Sequence, residues 1–146
     1  MFNRSRKPPL LKLAPLSTLI AEGVEISGDV AFAGGMRVDG AVHGDIDGRR
    51  GDGDRPSLLV LSAQGRVEGS IRCGNAVING SVIGDLDVEH RLELQSDARV
   101  TGTIRYRQLQ MDVGASVQGQ LSKIEAAGNV VELVGSADKA AAVERR

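Results

Sequence analysis

Apolar and polar residues alternate in short runs along this chain, and the runs repeat. A 13-residue unit occurs in three clear copies, LVLSAQGRVEGSI (59–71), LELQSDARVTGTI (92–104) and LQMDVGASVQGQL (109–121). Each copy has apolar residues at positions 1, 3, 9 and 13 and glycine at position 11, the pattern of two short strands joined by a corner. Weaker copies cover 18–30 and 30–42. The shorter core apolar-x-Gly-x-apolar recurs at Gly28, Gly40, Gly44, Gly69, Gly80, Gly84, Gly102 and Gly119. Taking 28, 44, 69, 84, 102 and 119 as one glycine per turn gives intervals of 16, 25, 15, 18 and 17 residues. The long interval contains the charged insert GRRGDGDRP (48–56), and without it the period is close to 17.

Strict alternation excludes a helical solenoid, which needs apolar residues at i, i+3 and i+4. A strand period with a turn of this length predicts three faces of five or six residues, hence an all-β, single-domain parallel β-helix of about six coils. At about 4.8 Å per coil the rod would be about 29 Å long. The composition agrees: 19 glycines, three aromatic residues (Phe2, Phe32, Tyr106) and 24 valines and isoleucines suit a narrow interior filled by β-branched side chains. The β-helix is expected over 18–124. Residues 1–17 read as a flexible basic tail and 125–146 as a flexible C-terminal tail with a short, frayed helix near its end.

The formal net charge of -1 argues against a domain-wide basic surface for duplex DNA. The tail also lacks the interleaved aromatic residues that would stack on single-stranded bases. With one cysteine, Cys73, there is no internal disulfide, which fits the cytosol. No apolar run reaches 18 residues. Lys12 and Pro15 interrupt the apolar segment 10–21, which also lacks a small-residue cleavage site, so a secretion signal is not expected. The tail instead suits an anionic membrane surface: Met1, Phe2, Asn3, Arg4, Arg6 and Lys7 combine apolar and basic groups, and no acid precedes Glu22.

No catalytic, cofactor or metal site is expected. His43 and His90 fall where an outward polar residue is due. The acidic pairs Asp45/Asp47 and Asp85/Asp87 read as a solvated strand face rather than a calcium site, and Cys73 as a passive residue following a strand. No GxxxxGK[ST] loop occurs. A left-handed hexapeptide-type acyltransferase is the chief alternative, because Ile26, Phe32 and Val38 fall six apart, but the spacing does not persist. A nonpolymerising β-helical binding module is the second. In a β-helix the end coils expose unpaired strand edges and part of the apolar interior, so self-association is expected there. The candidate polymer contacts are Ile20, Val24 and Ile26 in the first coil and Val113, Val117 and Leu121 in the last.

The units VEGSI (67–71) and VTGTI (100–104), the opening IAEGVEISG (20–28) and the start MFNR together resemble the bactofilin family over about 18–124 plus the first seven residues. The resemblance implies a right-handed β-helix between disordered tails and a non-enzymatic bacterial cytoskeletal scaffold. It also implies end-to-end polymerisation without nucleotide, attachment through the N-terminal tail to the inner face of the cytoplasmic membrane, and partners that synthesise or remodel the cell wall or organise poles, with effects on cell shape. The insert 48–56 departs from the compact coils of such a fold and puts the regularity of its neighbours in question.

Overall fold

The computed structural model describes residues 16–51, 53, 55–124 and 130–133, the last four as backbone only, and among these it contains fifteen strands and no α-helix. The first coil comprises β1 (Leu16–Ile20), β2 (Glu25–Ser27) and β3 (Val30–Ala33), and the second β4 (Gly35–Val38), β5 (Ala41–His43) and β6 (Ile46–Arg49). The third takes β7 (Leu58–Leu61), β8 (Arg66–Glu68) and the start of β9 (Ile71–Ile78). The rest of β9, β10 (Ser81–Ile83) and the start of β11 (Leu86–Leu94) make the fourth. The fifth continues through β11 and β12 (Arg99–Tyr106), and the sixth through β13 (Gln108–Met111) and β14 (Ser116–Ile124). Each strand of one coil pairs in parallel with its counterpart in the next, which gives a parallel β-helix of six coils and three faces.

The register stacks like residues into columns. On the second face Ile26, Val42, Val67, Val82, Val100 and Val117 lie one above another. On the third face Val30, Ile46, Ile71, Leu86, Ile104 and Leu121 do the same. The first face contributes Ile20, Val38, Leu61, Ile78, Leu94 and Met111. From the second coil to the fifth these positions are 0 or 1% exposed, and each such aliphatic side chain contributes about 1.5–3 kcal/mol by leaving water. Positions 1, 3, 9 and 13 of the sequence unit are therefore the inward positions of three successive faces. Ile26, Phe32 and Val38 likewise face inward from three successive faces, so their spacing of six reflects one short coil.

Glycine sits where the second face bends into the third, and the six glycines chosen from the period form one stack with φ between +126° and +158°. At Gly102, φ is +141°, and an added Cβ would collide with the carbonyl oxygen of Gly84 in the coil before it. The corner needs both the left-handed backbone and the missing side chain. The regular spacing of these glycines is thus a consequence of coil-on-coil contact.

The insert is absorbed at a corner between the third and first faces. Gly34 alone separates β3 from β4 and Arg107 alone separates β12 from β13, whereas β6 and β7 stand eight residues apart. Gly48 and Arg49, expected in the insert, belong to β6. The loop is tied by a bond from Gly51 N–H to Arg55 O (2.8 Å), and buried Ser57 Oγ accepts the Gly74 N–H at 2.9 Å. The neighbouring coils stay regular, since β7 pairs in unbroken register with β4 and β9.

Two local expectations are corrected. Cys73 lies within β9, not after it, and is 1% exposed; burial pushes its thiol pKa up, so the thiolate is disfavoured. Residues Val130–Leu133, inside the segment read as a C-terminal tail, form β15, which pairs antiparallel with β14 from Leu121 to Ile124. Such a pairing lies outside the repeat, whose coils are all parallel.

Candidate assembly surfaces at the solenoid ends

A coil inside the rod is bonded on both sides. The first coil is not: β1, β2 and β3 pair only with β4, β5 and β6. Their outer edges present unpaired backbone donors and acceptors among the described residues. The core columns also end here. Ile26 and Val30 are half-buried, although their counterparts in the next four coils are at most 1% exposed. Val24 is 43% exposed, while the residues stacked on it, Gly40, Gly65, Gly80 and Ala98, are buried. Among the described residues no coil precedes these positions. Leu16 and Leu19, 48% and 60% exposed, extend the apolar rim along β1. Ile20 is turned inward and 6% exposed.

The C-terminal end is built differently. β15 runs along the third-face half of β14, and Leu121 is 1% exposed. Val117 is 2% exposed, in register with Val100. On the first face the end is more open: among the described residues β13 pairs only with β11, and Leu109, Met111 and Ala115 are partly buried against the core. Val113 is 95% exposed at the tip of the turn between β13 and β14, where its counterparts Glu22, Ala63 and Ser96 in the first, third and fifth coils are exposed too.

The structure therefore gathers Val24 and Ile26 at one open end, with Ile20 just beneath, but places Val113 on a side turn and Val117 and Leu121 within closed columns. Val30, Leu109, Met111 and Ala115 are end positions that the sequence reading missed. Column position was the available signal, because each is the first or last member of a buried column. The membrane-binding candidates, residues 1–7, lie outside the described residues, as does any helix near the C-terminus.

The polar candidates resolve into structural roles. Asp29 Oδ1 accepts the N–H of Asp45 at 2.9 Å, Asp45 Oδ1 that of Ser70 at 2.9 Å, and Asp85 Oδ1 that of Thr103 at 3.3 Å. Each carboxylate thus caps a backbone amide in the next coil at the glycine corner. The second acid of each pair meets arginine instead: Asp47 with Arg49 at 3.4 Å and Asp87 with Arg105 at 3.5 Å. The acids of each pair consequently do different work, and no group of three metal-ligating side chains occurs among the described residues. His43 lies on the outer surface of the second face beside Glu25 and Glu68, and His90 at the irregularity within β11, its Nε2 3.8 Å from Glu89. Among the described residues no helix is long and apolar enough to cross a membrane.

The architecture defines a small parallel β-solenoid with one open end and one partly covered end. The family model for bactofilins, described as polymer-forming cytoskeletal, matches residues 18–122, and the chain belongs to the bactofilin family. Over 105 residues, 72% of this chain, it is 28% identical to bactofilin BacO and 26% identical to bactofilin BacP, both of Myxococcus xanthus (strain DK1622). The match spans 78% of BacO but 41% of BacP. No solved structure matches.

Proposed function

We propose that this chain is a non-enzymatic cytoskeletal scaffold that polymerises end to end into filaments without nucleotide. The filaments would lie on the inner face of the cytoplasmic membrane and recruit proteins of cell-wall synthesis, remodelling or polarity, and so affect cell shape. One observation carries the reading: among the described residues the core columns of the first coil stop open at Val24, Ile26 and Val30, beside strand edges that pair on one side only. Stacking a further coil there removes apolar surface from water and pairs backbone groups at once. Membership of a polymer-forming cytoskeletal family supports the same reading.

Because the association is hydrophobic and backbone-driven, ATP, GTP, magnesium or a chelator is expected to leave the pelletable fraction of the purified protein nearly unchanged. Strict dependence of sedimentation on any of them would contradict the proposal. The membrane contact is assigned to Met1, Phe2, Asn3, Arg4, Arg6 and Lys7. One such motif binds weakly, so avidity along a filament supplies the strength. Deleting residues 1–7 is expected to reduce cosedimentation with anionic liposomes by about tenfold or more, at about 1 kcal/mol per basic residue near the surface. Equal binding of the intact and shortened chains would remove this assignment.

A further inference from the structure

Three coils meet at one imidazole on the second face. His43 of β5 has Nδ1 3.1 Å from Glu68 Oε1 on β8 and Nε2 3.4 Å from Glu25 Oε2 on β2. Both partners are carboxylates, which only accept when ionised. A neutral imidazole carries one N–H and would turn a lone pair toward the other carboxylate. The imidazolium donates to both. We infer that protonated His43 is a clasp that fastens the first coil to the second and third, and that loss of its proton loosens the N-terminal end of the solenoid.

The surroundings leave few competing charges. On β8, Arg66 holds Glu68 through Nη2 at 2.7 Å and Nε at 2.8 Å, which fixes the carboxylate that His43 meets. On its own strand the other outward neighbour is Ala41, and the next strand, β10, offers Ser81 and Ile83, none of which titrates. Asp29 and Asp45, at the adjoining corner, accept backbone N–H groups. The clasp also holds the first coil, which among the described residues has strand partners on one side only.

Glu68 first, then Glu25, raise the His43 pKa above the ordinary imidazole value of 6.5. The sign follows from linkage. A raised pKa in the folded state stabilises fully below about pH 6.5, and the contribution is lost as the pH climbs through the folded value. The N-terminal coil is thus tighter in mild acid and looser in mild base. The clasp does not depend on filament formation, so it can hold where the end-stacking reading fails, and the reverse.

The test is histidine-C2 and backbone-amide hydrogen–deuterium exchange by mass spectrometry on the full chain, which reads assembled and unassembled protein alike. The His43 midpoint is expected above 6.5 and lowered in both Glu25→Gln and Glu68→Gln. Exchange of residues 16–33, corrected for the intrinsic pH dependence, is expected to rise about two- to fivefold across that midpoint, the range for an exposed ion pair. In His43→Gln the rise is expected to vanish while the rest of the solenoid keeps its protection. A native midpoint at or below 6.5, or the same pH profile in His43→Gln as in the native chain, would overturn the inference.

Discussion

Gly102→Val is expected to abolish cooperative folding of the solenoid. Its φ of +141° is a conformation that β-branched residues essentially do not adopt, and the added Cβ would collide with the Gly84 carbonyl. The strain alone costs about 1–3 kcal/mol. Relieving the collision requires the fifth coil to move off the fourth, which breaks the ladder on both adjoining faces. A total loss above about 4 kcal/mol is a large part of the 5–15 kcal/mol that stabilises an ordinary domain. Thermal unfolding followed by circular dichroism is expected to show either no transition or one lowered by about 15 °C or more. Gly23→Ala is the contrast, since Gly23 has φ of +93° but nothing within 4 Å of the added Cβ. It bears the backbone strain without the collision, so its melting temperature should fall by far less. Equal loss in the two variants would show that corner stacking is not what the glycine column protects.

The second large effect is on assembly. Val24→Arg is expected to keep the fold and prevent filaments. Val24 is 43% exposed at the open end of its column, so the single chain tolerates a long side chain there. In a stacked pair the guanidinium would be buried without a partner, a penalty of several kcal/mol and hence more than a hundredfold in association. Val113→Arg is the matched control: Val113 is 95% exposed on a side turn, and a charge there leaves stacking intact. Val117→Arg would not serve, because Val117 is 2% exposed within its own coil and the variant would lose stability before assembly could be judged. Pelleting after circular dichroism separates the cases, and normal filaments from folded Val24→Arg would remove the N-terminal contact.

The sequence made the coil legible because the physics repeats with it. Every turn must place a small residue where the second face bends, so Gly28, Gly44, Gly69, Gly84, Gly102 and Gly119 mark the six coils, and the alternation around them marks the inward columns. What did not repeat stayed hidden. The antiparallel strand Val130–Leu133 lies outside the parallel register and has no counterpart in another coil, so nothing distinguished it from a tail. Val113, Val117 and Leu121 share an apolar character in sequence, yet one occupies a turn and two lie in columns that are closed at their C-terminal ends. Only the register separates them. Asp45 and Asp85 looked like strand-face residues because their role, accepting an N–H from the following coil, depends on a neighbour some 18 or more residues away. The His43 clasp was invisible for the same reason, with Glu25 and Glu68 at sequence separations of 18 and 25.

The proposed filament requires that unmodified ends of this solenoid join. Negative-stain electron microscopy of the purified full chain, in chelator and without nucleotide, tests that most directly. The expected result is continuous unbranched filaments whose subunit length along the axis is near that of six coils, about 29 Å. Discrete monomers, dimers or trimers at every concentration tried would contradict it.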